Sequence, residues 1–376
     1  MKAQLKEIGT ELQAKLIEIS DYIYANPELG NEEYKAAQIL TDFLKEHNFQ
    51  VTQPLGGIAT AFEAVYDSGK TGPKVAFLCE YDALPEVGHG CGHNMIGTMS
   101  AGAGIILSKV LGEVGGTIHV FGTPAEETNG AKVVLTEQGF FDEMDAAMMV
   151  HPGSYNTESG SSSAIEALQF DYKGKPSHSA GSPEKGINAL NGVIHLFVGI
   201  DALRQHVTDD VRIHGIITKG GVAANVVPEH AQAQFYLRAA TREALSELKK
   251  KVLNIAEGAA LMTGATLTVS NYEYSNDDLK TNENLNAAFT KNFRELGMTD
   301  IKPPAKGRGS SDIGNVSNVC PAIHPHISIS DIPLNGHSIE MAEATLTDLA
   351  HERLLVGALA LAYTGYDVLV GDCVTK

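Results

Sequence analysis

Basic residues are scarce: 28 Lys and Arg stand against 46 Asp and Glu, a formal charge of -18 at pH 7. Binding phosphates needs clustered cations, so this balance argues against a nucleic-acid surface and against a polybasic membrane patch. It leaves room for an anionic small molecule, which one or two well-placed arginines can hold. Long apolar runs are missing too. No segment offers about 18 consecutive apolar residues, and Met1 to Ile23 reads as a charged amphipathic helix without the apolar stretch of a signal peptide. Four scattered cysteines are too few for a disulfide framework, so the expected compartment is the cytoplasm. Internal repeats and low-complexity stretches are absent, which leaves little ground for a scaffold.

Three catalytic signatures also fail. Gly69-Lys70-Thr71 has the look of the end of a phosphate-binding loop, but the earlier glycine it needs is Ala64. Gly309-Ser310-Ser311-Asp312 lacks the second glycine of a nucleophile elbow, and no G-x-G-x-x-G dinucleotide fingerprint occurs. Serine-nucleophile and hydride chemistry therefore have no local signal.

What is present is a long, ordinary globular sequence. At 376 residues it exceeds one hydrophobic core, and two domains are expected, one interrupting the other. Helical spacing at Ala36 to His47 is followed by strand patterns at Thr60 to Tyr66, Lys74 to Cys79, Thr117 to Thr123 and Ala146 to Val150. Helical segments at Met95 to Leu111 and Val133 to Gln138 lie between them. Such alternation predicts a sheet covered on both faces, with a site at the strands' carboxyl ends. Asp82, Glu126-Glu127 and His151 all follow those ends. From about Ala164 the order becomes strand, helix, strand, strand, helix, strand, through Ala265 to Tyr274, the split ferredoxin-like unit. Helices return at Asn282 to Leu296 and at Met341 to Tyr363, around a strand at His326 to Ser330. The expected division is 1–163 and 276–376 for an α/β catalytic domain, with 164–275 an inserted ferredoxin-like α+β domain.

Cys91-Gly92-His93 places a thiolate and an imidazole in a loop that Gly88, Gly90 and Gly92 allow to turn tightly. Thr123-Pro124-Ala125-Glu126-Glu127 offers adjacent carboxylates that can divide their labour, one binding metal and the other taking a proton from water. Each has a bland alternative: a buried Cys beside a surface His, or acidic residues favouring a helix dipole. His151 and His337 would, alone, read as structural. Counted together, Cys91, His93, Glu127, His151 and His337 are five candidate ligands in loops after strands, enough for two divalent ions with open positions. Asp82 is placed to orient a ligating imidazole from behind. Taken alone, His178 reads as a loop histidine and Arg238 as a solvated charge near a strand end.

At these residues the chain resembles the metallopeptidase superfamily of carboxypeptidase G and aminoacylase, in the branch of the auxin-conjugate amidohydrolases. The resemblance rests on Tyr81-Asp82-Ala83-Leu84-Pro85, the run His89 to Asn94, Pro124-Ala125-Glu126-Glu127, His151-Pro152 and Gly174-Lys175-Pro176-Ser177-His178. It continues through the run Gly220 to Pro228, Ser311 to Val316 and Gly336-His337-Ser338. The run Gly309 to Pro325 is most similar to the aminobenzoyl-glutamate hydrolase and β-alanyl-lysine dipeptidase subgroup. The resemblance implies a di-metal zinc-peptidase-like domain carrying an inserted dimerisation domain. It makes Glu126 the general base, and Cys91, His93, Glu127, His151 and His337 the ligands of two ions, zinc or manganese and possibly cobalt. It further implies a homodimer in which His178 reaches the other subunit's site and stabilises the oxyanion. Asn225 and Arg238 would hold the substrate's carboxylate, a role the arginine fork suits. The superfamily's usual ligand histidine of His-x-Asp is Glu80 here, which leaves open what bridges the ions and whether Glu80 takes part. The expected reaction is hydrolysis of an amide in a small carboxylate-bearing substrate: a dipeptide, an N-acyl amino acid or an aminobenzoyl-glutamate. The alternative is a binding or accessory subunit of the same fold that has lost catalysis.

Overall fold

The structure, a computed structural model, describes residues 1–304 and 309–375. Residues 305–308 and 376, part of the stretch expected to complete the catalytic domain, lie outside the described residues. The described chain separates into two units, one formed by 1–161, 279–304 and 311–375, the other by 162–278 with Gly309 and Ser310.

In the larger unit, α1 (Lys2–Ala25) and α2 (Tyr34–Glu46) precede β1 (Gln50–Thr52), β2 (Phe62–Asp67) and β3 (Lys74–Cys79). Then come α3 (His93–Val114), β4 (Thr117–Gly122), α4 (Ala131–Glu137), β5 (Ala146–Met148) and β6 (His151–Gly153). The smaller unit contributes β7 (Ala164–Lys173), α5 (Ala189–Leu203), β8 (Arg212–Lys219), β9 (His230–Ala239), α6 (Arg242–Thr263) and β10 (Thr266–Asn271). The larger unit resumes with α7 (Glu283–Glu295), α8 (Ile313–Ser317), β11 (Ala322–Ile323), β12 (His326–Ser328), α9 (Ile339–Ala344) and α10 (Asp348–Leu369).

Val75 to Cys79 and Ile118 to Gly122 are apolar or small at nearly every position, and each is buried on both faces, as the central strands of a parallel sheet must be. The sheet runs β1-β2-β4-β3-β5-β11. Strand β3 lies parallel to β4 and β5, and β5 parallel to β11, while β2 and β1 add an antiparallel edge. Because β3, β4 and β5 point the same way, the segments after Cys79, Gly122 and Met148 leave at one edge of the sheet. Helix α3 is long and apolar enough to cross a membrane by length and composition, but 89% of its apolar window is buried inside the fold, as suits a core helix.

The smaller unit's sheet is antiparallel in the order β10-β7-β9-β8, the ferredoxin-like arrangement. Strand β9 alternates strictly: Ala231, Ala233, Phe235, Leu237 and Ala239 are buried with Leu196 and Val252 of α5 and α6. Gln232, Gln234, Tyr236 and Arg238 occupy the other face. Near its margin, Glu166 of β7 pairs with Arg242 and Lys249 of α6 and accepts from Asn271 at 3.0 Å.

One expectation needs correction. Met341 to Tyr363 does not form a single helix; α9 ends at Ala344 and α10 starts at Asp348. Thr347 takes an extended conformation at the cap of α10, and its hydroxyl accepts from Ala350 N–H at 3.2 Å. Such a cap satisfies one of the free donors at a helix start.

Candidate metal centre

The site is assembled by loops of the larger unit's sheet. Asp82, just past β3 and 1% exposed, ties two of them together. Its Oδ1 accepts from His93 Nδ1 at 2.9 Å, and its Oδ2 accepts from Glu127 N–H at 3.0 Å. His93 opens α3, and the preceding Gly92 holds φ +75° in the left-handed region. A Cβ on Gly92 would lie 2.4 Å from Pro152 Cγ, so only glycine lets the chain turn here.

Against burial, the Asp82 carboxylate raises His93 well above its ordinary value; one proton on Nδ1 is tied to Asp82, and a bound cation would displace the other from Nε2. His151 is also tied through Nδ1, which donates to Pro152 O at 2.7 Å. The two rings are 5.8 Å apart. A neutral imidazole with one nitrogen tied and the other free is prepared for ligation.

The free atoms converge. His93 Nε2 lies 3.5 Å from Glu80 Oε2 and 3.9 Å from Glu127 Oε1, and His337 Nε2 lies 3.5 Å from that same Glu127 oxygen. One group of potential ligand atoms, within 4.8 Å of one another, comprises Glu80, His93 and His151; another comprises Cys91, Glu127 and His337. His93, Glu126 and Glu127 form a third. All five ligand candidates and the base candidate are thus brought together, and Glu80 joins them. Burying polar atoms without partners costs free energy, yet His93 Nε2 and Glu127 Oε1 are buried with no hydrogen-bond partner. Divalent cations fit that deficit and the thiol, imidazole and carboxylate donor set.

Burial pushes the Cys91 thiol up to about 12, so sulfur ligation requires a cation to displace its proton. Burial, aided by charge on His93, holds His151 below its ordinary value, hence neutral. Glu126 is raised well above the usual carboxylate range by burial and by the Glu80 and Asp312 charges. It does not start a helix: Ala125 before it has φ +64°, a turn, and α4 begins only at Ala131.

Several groups around the site gave little sequence signal. Lys132, fully buried on α4, places Nζ 2.7 Å from Glu80 Oε1 and pairs with Asp312. A lysine on a short helix normally reads as solvated, and only three-dimensional closure shows otherwise. His324 meets His151 edge-on and His326 lies tilted beside it, with ring centroids 5.4 and 5.2 Å away. His89 is buried with Nε2 at 3.2 Å from Ile23 O, a structural setting.

His178, Asn225 and Arg238 belong to the smaller unit. His178 is exposed in a loop whose neighbour Ser179 donates N–H to Asn225 O at 3.1 Å, so these two stand side by side. Arg238 is not free near a strand end: it is partly buried on the open face of β9, with Nη1 donating to Ser310 Oγ at 2.9 Å.

A sheet delivering paired carboxylates, imidazoles and a thiol to one edge, in a chain with a separate ferredoxin-like unit, defines a metal-dependent hydrolase. Residues 164–262 match the family model described as the peptidase dimerisation domain. The Xaa-Arg dipeptidase of Mus musculus is 36% identical over 98% of this chain and 89% of its own length. Among solved structures, a putative aminohydrolase from methicillin-resistant Staphylococcus aureus superposes with TM-score 0.83 at 20% identity, covering 98% of this chain and all (100%) of that one. A dinuclear metal-binding peptidase of the M20 family from Bacillus subtilis gives TM-score 0.68 at 18% identity, covering 94% and 98%. The chain belongs to the M20 peptidase family, whose members are metal-dependent amidohydrolases.

Proposed function

We propose that this chain hydrolyses the amide bond of a dipeptide-sized substrate whose leaving part carries a free carboxylate, most readily dipeptides ending in a basic residue. The observation that carries the reading is Glu127 Oε1, partnerless and within 4 Å of both His93 Nε2 and His337 Nε2. It is the joint of two ligand groups: Glu80, His93 and His151 on one side, Cys91 and His337 on the other. Two divalent cations held there, zinc or manganese and possibly cobalt, supply Lewis-acid polarisation of the scissile carbonyl and acidify the attacking water.

The chain's own groups do the remaining work. Glu126, beside His93 and Glu127, takes a proton from the water as its oxygen bonds to the amide carbon. As the C–N bond breaks, Glu126 returns that proton to the leaving nitrogen. His178 of a second copy donates to the carbonyl oxygen as it gains negative charge. In support, His178 Nδ1 accepts from the N–H groups of Ala180 and Gly181 at 3.2 and 3.1 Å, which leaves the donating ring hydrogen on Nε2. Arg238 and Asn225 hold the substrate's carboxylate. The basic preference rests on the Xaa-Arg dipeptidase relative. A thiol ligand suits a reducing compartment, the cytoplasm.

Glu126→Gln tests the reading: kcat should fall by about 10²–10⁴-fold with folding and metal content retained. Near-normal turnover would show that another group is the base. A panel of dipeptides, N-acyl amino acids and aminobenzoyl-glutamate, assayed with zinc and with manganese, sorts the substrate classes.

A further inference from the structure

Glu33 was not singled out by any sequence motif, yet it is a carboxyl with no solvent exposure. Its Oε1 accepts from Ala125 N–H at 2.8 Å, and its Oε2 accepts from Thr60 Oγ1 at 2.9 Å. Burial, with the Asp82 charge adding to it, raises its pKa to about 7 against hydrogen bonds that lower it. Burying a carboxyl is costly, and nothing in the hydrophobic core requires one here.

What it holds is unusual backbone. Ala125 sits at φ +64°, a conformation an alanine rarely adopts. The next residue is Glu126. On its other side, Glu127 N–H donates to Asp82 Oδ2 at 3.0 Å. The backbone flanking Glu126 is therefore gripped twice, before by Glu33 and after by Asp82. The segment carrying Glu33 is itself fixed to the Asp82 loop, since Ala83 N–H donates to Glu28 O at 2.9 Å. Gly30 lies flat against the same turn: a Cβ there would meet Thr128 Oγ1 at 2.5 Å and Ala125 Cα at 3.1 Å.

We propose that Glu33 is a positioning residue that holds Ala125 in its left-handed turn and so aims the Glu126 carboxylate. The proposal rests on Glu126 being the base. It acts on the proton-transfer step rather than on substrate binding, because Glu33 bonds the N–H of Ala125, the residue before Glu126, and none of the ligand candidates. Glutamine can accept from Ala125 N–H through its own oxygen, while alanine cannot.

The test is steady-state kinetics on the metal-loaded enzyme with metal content measured alongside. Glu33→Ala should lower kcat at least tenfold, with KM within about threefold and both ions retained, and Glu33→Gln should recover most of the loss. Adding Ala125→Gly to Glu33→Ala should restore part of the kcat, since glycine adopts positive φ without a steric penalty. A merely structural Glu33 would not be rescued in this way. If Glu33→Ala is not obtained folded, Gly30→Ala disturbs the turn from the same side with the carboxyl intact, and the same split of kcat against KM is expected. A kcat within twofold of wild type in Glu33→Ala, or in Gly30→Ala where that variant carries the test, overturns the proposal. So does a failure of Ala125→Gly to raise the kcat of folded Glu33→Ala. Glu126→Gln measured in parallel separates the two readings: an active Glu126→Gln removes the base, while an inactive one with a normal Glu33→Ala removes only the role of Glu33.

Discussion

Asp82 binds His93 Nδ1 through one oxygen and Glu127 N–H through the other, so one carboxylate sets both an imidazole's tautomer and a neighbouring loop. Asp82→Asn keeps the volume but weakens the acceptor, and metal affinity should fall by about 10–100-fold. Titration of the metal-free variant with zinc against a competing chelator measures it; unchanged affinity would mean His93 is not oriented for ligation. The sequence made Asp82, Glu126, Glu127 and His151 legible because each follows a strand whose end could be placed by pattern. Glu33 and Lys132 were not legible. Each sits on or next to a helix, where a charged residue normally faces water, and each becomes buried only because a distant loop closes over it.

Strands β3 and β4 could be read almost to the residue because burial on both faces leaves a continuous apolar run with sharp polar limits. Strands β6 and β11, of three and two residues, carry no such pattern and owe their pairing to the chain around them, whereas β12 falls within the strand expected at His326 to Ser330. The break between α9 and α10 was hidden because the residues on both sides keep helical spacing, while Thr347 decides the restart by capping. Thr347→Ala should destabilise by about 1 kcal/mol, read from denaturant midpoints; no change would mean the cap is redundant. In the smaller unit, burial pushes the Glu166 carboxyl up, but bonds from Lys249 and Asn271 and the charges of Lys249 and Arg242 outweigh it. A carboxyl held below its unfolded value contributes stability that is present above that value and lost as pH falls through the folded one. Stability should therefore drop as pH is lowered from about 4.3, and Glu166→Gln should flatten that slope. A slope identical to wild type would leave Glu166 without a share in it.

At the scale of the molecule, the order of elements exposed the inserted ferredoxin-like unit, since its strand-helix-strand rhythm differs from what flanks it. Whether two copies share a site is not written in that rhythm. The proposed in-trans role of His178 predicts that mixing His178→Ala with Glu126→Gln, under conditions where subunits exchange, restores activity that neither variant has alone. No recovery despite proven exchange would mean each chain works by itself. Removing the ions with a chelator should abolish turnover, and zinc, manganese or cobalt should restore it.

The central claim is that side chains distant in sequence hold two cations around Glu127. Anomalous scattering from crystals grown with zinc, recorded on either side of the zinc edge, tests it most directly. Two peaks about 3.5–4 Å apart are predicted, one among Glu80, His93 and His151, the other beside Cys91 and His337, with Glu127 between. Zinc-saturated crystals with no peak there, or with the Cys91 sulfur and the His337 ring turned away from one another, would contradict it.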